Sequence, residues 1–157
     1  MGALVVAGAL VFAYYLQYFQ GLEPCPLCIF QRIAIFATGV VFLVAALHGP
    51  QGPARWLYGV MAAVAAACGA AIAGRHVWLQ SIPEDQVPAC GPGLDYLLDI
   101  LPWQEVLAKV LRGDASCASI EASFLGVSLP GWTLVVFIGL VIWALLMPML
   151  ARKSQIN

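Results

Sequence analysis

The chain has 157 residues, of which 62% are hydrophobic and only 10% charged, against roughly half and about a quarter in soluble domains. A water-soluble domain of this length cannot hide so much apolar surface, so lipid is the expected solvent. The seven Lys and Arg residues form no basic stripe, which argues against nucleic-acid binding; the net charge of −1 matters less than where the charges fall.

A helix needs about 20 mainly apolar residues to cross the hydrocarbon core. The first stretch that qualifies is 2–19. It has no basic residue before Gly2, and Gln17-Tyr18-Phe19-Gln20 does not resemble a small-residue cleavage site, so a retained span is expected. A polar connection over 20–28 contains Cys25-Pro26-Leu27-Cys28. The second span is expected at 29–47, with Gln31 and Arg32 near its start, and the third at 56–74, rich in Ala and Gly, which let helices approach closely in lipid. A long connection over 75–131 precedes the fourth span, 132–150. The expected fold is all-α: one integral membrane domain over 1–157, an up-down bundle of four transmembrane helices.

Charge asymmetry sets the orientation, because Lys and Arg near span ends stay cytoplasmic. Arg55 lies in the short second connection and Arg152 and Lys153 in the tail, while all eight carboxylates, from Glu23 to Glu121, lie on the other side. Both termini are thus expected in the cytoplasm. The first and third connections face outward, into the periplasm of a Gram-negative cell. Within the third, Leu94, Leu97, Leu98 and Leu101, then Trp103, Val106, Leu107, Val110 and Leu111, recur at helical spacing. Pro102 suits the first turn of the second half, so two short helices with a break are expected. One wet and one greasy face beside a membrane points to a helix lying flat on the bilayer; the alternative is a helix packed on the outer end of the bundle.

Of five cysteines, Cys25, Cys28, Cys90 and Cys117 fall on the outward side, where disulfides persist. Cys68 sits inside the third span and reads as an inert thiol in a helix interface. Two cysteines separated by two residues can close a small, readily exchanged disulfide. Cys28 would sit at a helix N-terminus, whose free N–H groups suit a negatively charged sulfur. Arg32 follows four residues later on the same face. A guanidinium in a span is costly unless paired or functional, and it could stabilise the Cys28 thiolate or donate to a bound acceptor; snorkelling to the interface is the blander option. His76 closes the third span at the level of Cys28, placed either as an interfacial hydrogen-bonder or for proton delivery. Cys90 and Cys117 frame the amphipathic segment; if they bond, closing that loop contributes roughly 3–4 kcal/mol as a staple. A zinc site from the four outward cysteines has poor spacing, so no metal is expected there.

Cys25-Pro26-Leu27-Cys28-Ile29-Phe30-Gln31-Arg32 at the start of a second span resembles the DsbB family of bacterial inner-membrane proteins. The resemblance extends to Arg75-His76-Val77-Trp78-Leu79-Gln80, Val87-Pro88-Ala89-Cys90, and Cys117 followed by Phe124-Leu125-Gly126 and Pro130-Gly131-Trp132. It implies a quinone-dependent protein-dithiol oxidoreductase of the inner membrane, with its active face periplasmic. A Cys90–Cys117 disulfide would accept electrons from a reduced, thioredoxin-like periplasmic oxidant (DsbA-like), Cys90 forming the mixed disulfide. Cys25–Cys28 would reoxidise that pair, and a ubiquinone or menaquinone near Arg32 and His76 would take the electrons from Cys28. Vitamin K epoxide reductase-like proteins are also small bundles with two cysteine pairs, but there the order of the pairs is reversed. From another class, a non-enzymatic scaffold with a static loop disulfide is the alternative.

Overall fold

The computed structural model describes residues 1–83, 94–113, 115–119 and 123–153. Among these described residues, four helices are long and apolar enough to cross a membrane: α1 (Gly2–Gln20), α2 (Pro26–His48), α3 (Ala54–Leu79) and the last, α7 (Leu129–Lys153). Between α3 and α7 come α4 (Leu94–Ile100), α5 (Trp103–Arg112), the single turn α6 (Ala115–Ala118), and a hairpin of β1 (Ser123–Phe124) and β2 (Val127–Ser128). The protein is an all-α, four-helix membrane protein. Each long helix contains an expected span and runs past it. Pro26 starts α2 three residues early because its fixed φ and missing N–H suit the first helical position. Helix α3 continues through Arg75 and His76 to Leu79.

The bundle centres on α3, which packs against α2 and α7, while α1 packs chiefly on α2. Its core is Val6, Ile35, Ala66, Ala73, Phe137 and Leu140. Small residues set how close the helices come. Phe137 is fully buried, and its ring occupies the space where a Cβ on Gly69 would stand. Gly69→Ala should therefore push α3 and α7 apart, costing about 1–3 kcal/mol as overpacking does. Gly74→Ala, with nothing within 4 Å of its Cβ, should be neutral or stabilising, since Ala is the better helix former. Thermal unfolding of both variants in detergent measures the contrast; equal midpoints would remove the assigned role of the Gly69–Phe137 contact. Cys68 corrects an expectation. It is exposed on the outer surface of α3, because Gly69, one residue and about 100° further round the helix, takes the contact with α7.

The expected break in the third connection falls at Leu101 and Pro102, although Pro102 is the residue before α5 rather than in its first turn. Helix α5 packs on the end of the bundle through Val106 and Val110, which join Leu27, Leu79, Leu97 and Cys117 in a second buried cluster. Arg75 fixes the far end of α5: its Nε donates to the Leu111 carbonyl and its Nη2 to that of Arg112, both at 3.1 Å. Those are last-turn carbonyls with no intrahelical partner. Tyr96, Leu98, Ile100 and Trp103 stay exposed. The hairpin turns through Leu125 (φ 53) and Gly126 (φ 77), the pair of positive φ angles that a two-residue hairpin loop of the I′ type requires. It is tied to α7 by Trp132 Nε1, which donates to the Phe124 carbonyl at 3.0 Å.

Candidate active site

The start of α2, the end of α1 and the end of α3 meet at one end of the bundle. Cys25 is the N-cap of α2, with extended backbone (φ −64, ψ 162), and its sulfur accepts from the Cys28 N–H at 3.4 Å. That capping geometry folds the motif back on itself and brings Cys25 Sγ to 3.1 Å from Cys28 Sγ. Both are half-buried.

His76 is buried beneath them. Its Nε2 is 3.8 Å from Cys25 Sγ and its Nδ1 is 3.9 Å from Cys28 Sγ. Gln31, also buried, places its amide nitrogen 3.1 Å from His76 Nδ1. A glutamine in a membrane span should find a partner inside the protein, and here that partner is the imidazole beside the redox motif. Its occurrence beside Arg32 in a mostly apolar span is the signal in the sequence for such a role.

Arg32 turns towards α1, where Nη1 donates to Gln17 Oε1 and Nη2 to the Ala13 carbonyl at 3.1 Å, with the guanidinium 5.2 Å from the centre of the Tyr14 ring. Gln17 is a second polar residue whose placement the sequence left unread. A cavity of about 550 Å³ lies between α1, α2, α7 and the hairpin. Its walls are apolar, with Leu16, Ile35, Phe124, Trp132 and Val136 among them, and Cys28, Gln31 and Arg32 supply polar atoms on the α2 side.

The two cysteines of the motif therefore face different neighbours. Cys28 lines the cavity, whereas Cys25 packs against the buried cluster that contains Cys117. Cys117 is itself buried in that cluster. Cys90 lies outside the described residues. Of the expected site residues, Cys25, Cys28, Arg32, His76 and Cys117 are gathered at one end of the bundle.

A family profile described as "Disulfide bond formation protein DsbB" matches residues 1–147. The chain is 54% identical over 142 residues to the "Disulfide bond formation protein B" of Hahella chejuensis, covering 90% of this chain and 86% of that one. It is 52% identical over 151 residues to that of Marinobacter nauticus, covering 96% and 89%, and 48% identical over 158 residues to that of Xanthomonas euvesicatoria pv. vesicatoria, covering 100% and 92%. A four-helix membrane bundle with a cysteine pair at one end, matched along nearly its whole length by these relatives, belongs to the DsbB family of disulfide bond formation proteins.

Proposed function

We propose that the chain oxidises the dithiol of a thioredoxin-like, DsbA-like periplasmic protein and passes the electrons to a membrane quinone. The observation that carries this reading is the two-sided placement of the motif, Cys25 towards the Cys117 cluster and Cys28 towards the apolar cavity. A thiolate of the partner attacks Cys90 of the Cys90–Cys117 disulfide to form a mixed disulfide and release the Cys117 thiol; the partner's second thiolate then displaces Cys90, so the Cys90–Cys117 disulfide is reduced to two thiols as the partner's dithiol becomes a disulfide. The Cys90–Cys117 dithiol then reduces Cys25–Cys28, each exchange breaking one S–S bond as it forms another. The packing of Cys25 against the cluster that contains Cys117 supports its being the sulfur of the motif that receives this attack.

The cavity fits a quinone head group: its size is within the ordinary range of small-molecule sites, about 300–1,000 Å³, and its lining is mostly apolar with a few polar atoms. Cys28 and Arg32 would hold the ring. A bound quinone would supply an acceptor for two electrons and two protons. Arg32 uses one hydrogen on each of two nitrogens to reach α1, and a guanidinium has five N–H donors, so donors remain for a quinone oxygen. His76, beside both sulfurs, is suited to accept a thiol proton.

The orientation proposed from the charges places this end of the bundle in the periplasm of a bacterial inner membrane, with both termini cytoplasmic. The exposed apolar side chains of α4 and α5, Trp103 above all, would then rest on the lipid interface. Protein mixed with a reduced thioredoxin-like dithiol protein and a soluble ubiquinone or menaquinone analogue should bleach the quinone absorbance, one quinone per dithiol. No bleaching by folded protein with intact cysteines would rule the reading out in favour of a static scaffold.

A further inference from the structure

The Cys25–Cys28–His76 group has a second chemical capacity that disulfide exchange does not use. Both sulfurs and a ring nitrogen of His76 lie within 4.8 Å of one another. Zinc-type ions bind thiolate sulfur at about 2.3 Å and imidazole nitrogen at about 2.0–2.1 Å in tetrahedral geometry, which holds a sulfur and a nitrogen ligand about 3.6 Å apart. Cys25 Sγ and His76 Nε2 are 3.8 Å apart. The two sulfurs, at 3.1 Å, would need to open to about 3.8 Å, a small rotation for half-buried thiols.

The site is also built behind the ligands. A metal-bound histidine donates its other ring N–H to a neighbouring acceptor. Gln31 already contacts His76 Nδ1 at 3.1 Å, and its amide can present either oxygen or nitrogen by turning over. With an ion on Nε2, Nδ1–H would donate to Gln31 Oε1. We propose that the reduced Cys25–Cys28 pair and His76 bind a thiophilic divalent cation, Zn²⁺ or Cd²⁺, with Gln31 as the supporting group and a fourth position left for solvent. Binding forms two M–S bonds and one M–N bond and releases two thiol protons, with no change in oxidation state. The complex has no net charge, which suits a place where isolated charge is costly. A closed Cys25–Cys28 disulfide offers no thiolate, so the site exists only in the dithiol state. On the function proposed above, the ion would hold the chain reduced and stop turnover.

The test is a Cd²⁺ titration of the full-length chain in detergent, followed by thiolate-to-cadmium charge-transfer absorption, with Cys90→Ser and Cys117→Ser in place to leave the motif and Cys68. The reduced chain should bind about one ion, the oxidised chain none. Cys28→Ser should abolish binding, Cys68→Ser should not change it, and Gln31→Ala should weaken it about 10–100-fold, as loss of a supporting partner does. If the double variant does not fold, the same comparison of reduced and oxidised forms is made on the parent chain, with Cys28→Ser as reference. Equal binding by both redox forms, binding that survives Cys28→Ser, or no charge-transfer band would overturn the site; an unchanged affinity in Gln31→Ala would overturn the support assigned to Gln31. Neither dithiol substrate nor quinone enters this measurement, so its failure is separate from a failure of the turnover assay.

Discussion

Cys28→Ser should lower quinone-dependent turnover to background, a fall of at least about 10³-fold, while the chain stays folded. The side chain contributes one sulfur to the cavity wall, and serine fills nearly the same volume, so stability should hardly change. Cys25 keeps its place against the cluster containing Cys117; with no partner sulfur it cannot form the disulfide that the loop dithiol reduces, but its thiolate can attack the Cys90–Cys117 disulfide, forming one S–S bond to a loop cysteine as the other loop sulfur leaves as a thiol. The variant should therefore accumulate a mixed disulfide through Cys25, visible by non-reducing electrophoresis and mass spectrometry. Cys90→Ala separates the other half of the path. It should abolish oxidation of the dithiol partner and leave quinone binding intact. Parent-rate turnover in Cys28→Ser would remove that sulfur from the proposed route, and parent-rate turnover in Cys90→Ala would do the same for the loop cysteine.

Arg32→Met should raise the apparent KM for quinone about 10- to 100-fold with little change in exchange with the dithiol partner. Methionine replaces the stem of arginine with an unbranched apolar chain compatible with lipid, so the base of the cavity wall is kept while the donors are lost. Hydrogen bonds from a charged group contribute about 1.5–3 kcal/mol, and each 1.4 kcal/mol is about tenfold in affinity. The substitution also strands Gln17 Oε1 and the Ala13 carbonyl, the two acceptors on α1. Gln17→Ala serves as a companion: it frees one side of the guanidinium without removing it, and should raise KM less. Steady-state kinetics over a range of quinone concentrations gives the answer. An unchanged KM in Arg32→Met would mean that the guanidinium serves only to join α1 to α2.

The bundle was legible because lipid simplifies the reading: uninterrupted apolar stretches of span length have few other ways to fold. Span ends were less legible. Arg75 looked like a terminus because it is charged, yet α3 continues through it and the side chain reaches sideways to the carbonyls ending α5. The hairpin at 123–128 gave no warning, since strands of two residues are too short for an alternating pattern and Leu125 is an unusual residue for a positive φ. The cysteine motif and Arg32 stood out by residue type. The partners of Arg32 and His76 did not, because Gln17 and Gln31 acquire meaning only when α1 and α3 come alongside α2. Level placement of His76 with Cys28 followed from antiparallel topology; its approach to within 4 Å of both sulfurs depends on side-chain packing that no spacing rule supplies.

One sulfur at the head of α2 serves two masters. Cys25 Sγ is the acceptor for the Cys28 amide, and losing an N-cap typically costs about 1 kcal/mol of helix stability. Whenever Cys25 swings out to bond another cysteine, the first turn of α2 loses that acceptor and should fray. Electron flow would then be written into the backbone as an opening and closing of one amide, and hydrogen–deuterium exchange at Cys28 becomes a clock for the catalytic cycle: slow while the motif is at rest, fast while Cys25 is engaged elsewhere.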